Sequence, residues 1–246
     1  STQLGAFFYG CNMEAITGAK GGSQKQHTPV EQPDSAQSMA RCRMLLALGE
    51  GEFAGGLDAT SIFLDGTPLG NADGTMNFEN VSWEFRPGTQ TQTPIPGFPA
   101  VENETTVGVS LTKATPWTRA LSNTQIDAVL VRIGIPGLQQ QENDGDIVGT
   151  TVKYHIDLAV DGGAFSTVMT RTVTEKLSSL YELTHRINLP KASTGWQIRV
   201  VRDTDDSTSQ MLQNKTQVQA ITEVIDARLR YPHTALLYVS FNAKSF

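Results

Sequence analysis

The residues that could do chemistry are few, and their spacing does not suit it. Four histidines, His27, His155, His185 and His233, and two cysteines, Cys11 and Cys42, are scattered along 246 residues. A structural zinc centre needs ligands paired a few positions apart, and no such pairing occurs. Two cysteines allow one disulfide and no disulfide framework, with the pairing of Cys11 and Cys42 left open. The oxygen-rich runs Asn143 to Asp146 and Asp203 to Ser209 could offer ligands to calcium. Neither has the spacing of a calcium loop, so both read as solvated turns.

Gly49, Gly51 and Ala54 in "GEGEFAGG" fall at the spacing of a dinucleotide fingerprint. The next stretch of chain, "LDATSIFL", reads as a strand and not as the helix whose N-terminus would hold a pyrophosphate. No Gly-x-Ser-x-Gly, His-Glu-x-x-His or P-loop occurs, and the carboxylates form no nameable pair for glycoside hydrolysis. The expectation is a protein that is not an enzyme: no catalytic, cofactor-binding or metal-binding residues, and no cofactor.

Composition narrows the class further. Charged residues make up 18 %, with 22 glycines and 11 prolines, a mix that suits a turn-rich β protein. A chain of this length can bury about 70–75 % of its unfolded surface. The net charge of −6 argues against a surface built to grip phosphate, so no sequence-specific nucleic-acid partner is expected. No apolar run is long enough for a transmembrane segment, and "LGAFFYG" lacks the layout of a signal peptide. Synthesis in the cytoplasm is the default, where the sequons at Asn80, Asn103 and Asn214 carry no meaning.

Along the chain, residues 1–34 show no sustained period and read as an extended N-terminal arm. Its apolar tip, Phe7, Phe8 and Tyr9, is the expected partner-binding anchor. Residues 35–100 carry strand signals punctuated by turns at Asp65-Gly66 and Asp73-Gly74. Within them, residues 36–48 fit a helix capped by Ser35 or a buried strand equally well.

Residues 101–215 show the clearest alternation. Val129, Val131, Ile133 and Ile135 share one face, as do Val152, Tyr154, Ile156 and Leu158, and again Trp196, Ile198 and Val200. Regular alternation over several strands fits an antiparallel β-sandwich. Residues 216–246 read as two further strands joined through Tyr231-Pro232, with proline biasing Tyr231 to an extended shape. A helix over 217–230 is the alternative there, which the β-branched content disfavours. The final run, Thr234 to Phe241, reads as an unprotected edge strand.

Five ordered blocks carry a family resemblance: "KGGSQKQHTP" (Lys20 to Pro29), "LLALGEGEFAGGL" (Leu45 to Leu57), "IFLDGTPLGNADGTMNF" (Ile62 to Phe78), "WEFRPGTQTQTPIPGF" (Trp83 to Phe98), and "MLQNKT" followed by "ITEVIDARLRYPHTALLYV" (Met211 to Val239). Together they resemble the tip attachment protein J family, the central tail hubs of lambda-like siphophages. The resemblance implies a mainly β fold: a β-rich hub domain in two parts, 35–100 and 216–246, carrying an inserted sandwich at 101–215, with few short helices. It implies a structural virion protein at the distal end of the tail, with a role in tail assembly and host attachment. It also implies a homotrimer that contacts other tail-tip proteins, a host receptor reached through family regions beyond this chain, and a chain continuing past Phe246. The rival expectation is a carbohydrate-binding sandwich that stacks sugar on Trp117, Trp196 or Tyr154.

Overall fold

The computed structural model describes residues 27–36, 41–78, 80–95 and 98–242. Among these residues there are sixteen strands and no helix. The few short helices expected are therefore not found among them, and strand takes up Arg41–Glu50 in the first ambiguous segment and Thr216–Asp226 in the second.

A small antiparallel sheet has the order β1 (Arg41–Glu50), β16 (Thr234–Asn242), β4 (Ser82–Arg86). The last strand is thus the middle of its sheet, paired with Met44 on one side and Trp83 on the other at Val239. The expected unprotected edge is paired along both sides, and Ala235 to Ser240 are buried. Between β1 and β4 lies a two-stranded hairpin of β2 (Phe63–Leu64) and β3 (Thr67–Pro68), turning at Asp65 and Gly66, both at positive φ. Ile62, Leu69, Leu237 and Val239 close a local core beneath it.

The main body is two four-stranded antiparallel sheets. One has the order β12 (Tyr181–Asn188), β7 (Ala128–Ile135), β15 (Thr216–Asp226), β5 (Pro99–Leu111). The other runs β11 (Ser166–Glu175), β10 (Thr150–Val160), β13 (Trp196–Arg202), β6 (Trp117–Leu121). Alternation explains the packing: Val129, Val131 and Ile133 from one sheet meet Tyr154, Ile156, Ile198 and Val200 from the other in a single core. Each such side chain contributes about 1.5–3 kcal/mol by leaving water.

β15 pairs with β5 from Thr216↔Leu111 to Asp226↔Pro99, and with β7 along its other side. The sandwich therefore runs on through Asp226, and the boundary expected at 215 falls on the wrong side of this strand. A strand's sheet is set by partners remote in sequence, which β-branched content alone does not identify.

A third, short sheet at one end of the sandwich has the order β14 (Leu212–Gln213), β8 (Gln139–Gln141), β9 (Ile147–Val148).

The connection from β15 to β16 departs from expectation at Tyr231, whose φ is +46° despite Pro232. The reason is a clamp from the loop that follows β4. Gln92, buried, donates its amide to the carbonyls of Arg230 (2.6 Å), Tyr231 (2.7 Å) and Thr234 (3.0 Å), and its Oε1 accepts from Gly88 N (2.8 Å). Gly51 N also donates to His233 O at 2.6 Å. A disfavoured backbone conformation persists where several bonds over-determine it.

Candidate functional site

Residues 27–36 form a strap along the end of the sandwich that carries the short sheet. Glu31 bridges Ile147 in parallel. Ile147 N donates to Val30 O (3.0 Å) and Gln32 N to Ile147 O (2.9 Å). Further along, Ser35 N donates to Lys176 O at 3.0 Å. The Ser35 hydroxyl donates to Glu175 (2.5 Å) and accepts from Lys176 N (2.9 Å), which docks the strap.

Charge reinforces the strap. Lys176, with a side chain only 2 % exposed, donates to Glu31 (2.6 Å) and Asp34 (2.9 Å). Asp34 also accepts from the hydroxyl (2.6 Å) and amide of Ser178. The Ser178 hydroxyl and then the Lys176 ammonium hold the Asp34 carboxyl down at about 2. The Lys176 ammonium is pushed up in return, first by Glu31. An ammonium kept from water needs such paired acceptors.

At its start the strap reaches the turn between β8 and β9. His27 Nε2 lies 2.7 Å from Asp146 Oδ1 and 3.6 Å from Asp144 Oδ2. Asp146 Oδ1 also accepts from Val30 N at 2.7 Å. The hydrogen bond to Asp146 raises the His27 pKa, and the Val30 amide lowers that of Asp146. Beside this turn is an open cleft of about 610 Å³ lined by Gln140, Gln141, Asp144, Ser209 and Met211 among others.

The other oxygen-rich run is absorbed by the fold. Asp206 accepts from Lys113 N (3.0 Å) and pairs with Arg202 Nε (3.1 Å), while Asp205 takes the Lys113 ammonium (2.6 Å). Arg202 is 1 % exposed and also donates to Thr216 Oγ1 across the two sheets. The Asp206 carboxylate thus pairs with a buried guanidinium, and that of Asp205 with an exposed ammonium.

The aromatics of the rival sugar-binding reading lie inward. Tyr154 and Trp196 are buried, and Trp117 packs against the same core. Tyr154 is further tied to His185 Nε2 of the opposite sheet, at 2.7 Å. Phe7, Phe8 and Tyr9, the expected anchors of the arm, lie outside the described residues, as does Cys11; Cys42 is half-buried on β1. The strap contacts of His27, Glu31 and Asp34 are missed by reading the sequence, because each partner lies more than 110 positions away.

Residues 101–227 match the family model described as Tip attachment protein J, FNIII-A domain. The chain belongs to that family. The match begins two residues into β5 and ends one residue past β15, and so includes the strand that the sequence pattern alone places outside the sandwich. Relatives named Tip attachment protein J include one from Escherichia phage SECphi4, 53 % identical over 94 % of this chain. Another, from Escherichia phage SECphi27, is 40 % identical over 94 % of it. The chain spans about a fifth of the length of these relatives, 21 % and 19 %. Among solved structures, the C-terminal family 22 carbohydrate binding module of Clostridium thermocellum Xyn10B is similar at 16 % identity and a TM-score of 0.29, over 57 % of this chain and 87 % of that one. No helix among the described residues is long and apolar enough to cross a membrane.

Proposed function

We propose that this chain is a structural part of a phage tail tip, the portion of a central hub that carries the FNIII-A sandwich. The observation that carries the reading is 53 % identity over 94 % of the chain to a Tip attachment protein J. In this reading β1, β4 and β16 are hub strands, and the sandwich is inserted between the last two. The Gln92 clamp fixes the return crossing, and the strap fixes the opposite end of the sandwich.

The hub is a homotrimer at the distal end of the tail, made in the host cytoplasm. It contacts other tail-tip proteins, and the host receptor is reached through family regions beyond this chain. The role is mechanical, with no catalysis. A closed three-fold ring repeats one interface, and the N-terminal arm, residues 1–34, carries at its tip Phe7, Phe8 and Tyr9, which anchor on the neighbouring subunit, since aromatics carry much interface energy.

The test is a phage with a stop codon early in this coding region, grown with and without a suppressor. Heads without tails in the non-suppressing host, rescued by the intact gene, are expected. Normal infectious particles without suppression would overturn the reading. Replacing the three aromatics by alanine is expected to impair tail assembly; unchanged assembly would remove the arm.

A further inference from the structure

We propose that His27, Asp144 and Asp146 form a divalent transition-metal site of the zinc class, which pins the strap to the β8–β9 turn. One ligand atom from each residue lies within 4.8 Å of the other two. The His27 Nε2 separations of 2.7 and 3.6 Å from the two carboxylate oxygens bracket the roughly 3.0–3.4 Å between neighbouring ligands around an ion bound at about 2.1 Å. The imidazole and the carboxylates come from segments 119 positions apart in sequence, so the fold itself brings them together.

Two features hold the donors in place. The Asp146 amide donates to Asp144 Oδ1 at 3.2 Å, which ties the two acidic residues into one turn. Gly145 between them has φ +95°, and a Cβ there would lie 2.8 Å from Pro29 Cγ, so the strap packs flat on the turn two residues from His27. Glycine is what permits both that φ and that approach.

Electrostatics call for a cation. Among the described residues the ion pairs of Asp144 and Asp146 are with His27 alone. The cluster therefore stays negative even with a protonated imidazole. A mixed imidazole and carboxylate set suits zinc and its neighbours, whereas calcium takes six to eight oxygens. The three side chains remain partly exposed, at 46, 49 and 25 %, leaving positions for water. Such an ion joins the strap to the sandwich and fixes the point from which the preceding residues depart.

The test is calorimetric titration of the untagged, chelator-treated full chain with zinc chloride, and in parallel with calcium chloride. It is repeated on His27→Gln and Asp144→Asn. Asparagine keeps the acceptor for the Asp146 amide, and both positions are exposed, so both variants fold; circular dichroism checks this. One zinc per chain is expected, with affinity reduced at least ~10-fold in each variant, and with the strap better protected from protease in zinc than in chelator. Absence of saturable zinc binding, binding unaltered in both variants, or displacement of zinc by equimolar calcium would each overturn the proposal.

Discussion

Lys176 Nζ and Asp34 Oδ1 lie 2.9 Å apart across 142 positions of sequence, and the ammonium is almost wholly enclosed. This pair couples the strap to the turn after β11. Removing the carboxylate leaves Glu31 as the only charged partner of a buried cation among the described residues. Asp34→Ala is therefore expected to release the strap while the sandwich stays folded. Limited proteolysis read by mass spectrometry checks this: cleavage within 27–36 several-fold faster than in the parent is the expected outcome, and unchanged protection contradicts it.

The same carboxylate gives the strap an acid limit. Asp34 is held at about 2, against an ordinary value of 3.8. A carboxyl with a lowered folded value contributes stability above the unfolded value, and that contribution is lost as pH falls through the folded one. Strap protection should hold down to about pH 4 and fade towards pH 2. Hydrogen exchange of residues 30–35 across that range is the check; loss of protection already at pH 5 would contradict it.

His185 sets a second window, of different origin. Burial, with the Arg171 charge, lowers its value to about 4 from 6.5. Between those values the unfolded chain binds more protons than the folded one, so stability rises with pH over that interval. Acidifying from pH 7 to 4 should cost on the order of 3 kcal/mol from this group. Urea unfolding of the parent and of His185→Gln should show this loss in the parent and not in the variant. Parallel curves for the two proteins would remove the assignment.

Gln92→Ala strips the clamp from the β15–β16 connection. The buried Gly88 amide and the carbonyls of Arg230, Tyr231 and Thr234 lose a partner. Leaving a buried polar group unsatisfied costs about 1–3 kcal/mol. Faster amide exchange at residues 88 and 231–234 is expected, with the sandwich amides unchanged.

Core truncation gives the scale for these effects. Ile133 and Ile198 are fully buried on opposite sheets of one core. Either changed to alanine should cost about 2–5 kcal/mol, measured by denaturant midpoint at constant slope. A loss below that range at both would mean that the two sheets do not share a core.

How much of this the sequence discloses depends on how local the cause is. Val152, Tyr154, Ile156 and Leu158 announce a strand because one face meets the core and the other meets water. β1 stays ambiguous because Leu46 and Leu48 are exposed apolar residues that blur its alternation. β15 looks like a strand, but its partners Val131 and Thr105 lie 90 and 116 positions from Ile221, and nothing in its own residues names them. The strap is illegible for the same reason. Its polar residues have no period of their own, and their meaning lies in Ile147, Lys176 and Ser178. His27 and the turn at Asn143 to Asp146 are each visible but read singly, as a scattered histidine and a solvated loop. Only the fold brings them within bonding distance.

A place at the tail tip is the central claim. Intact virions of the encoding phage, labelled with gold-tagged antibody raised against residues 101–215, test it most directly by electron microscopy. Gold confined to the end of the tail farthest from the head is the predicted result. Gold elsewhere on the particle, or none on particles whose purified protein the antibody does bind, would contradict it.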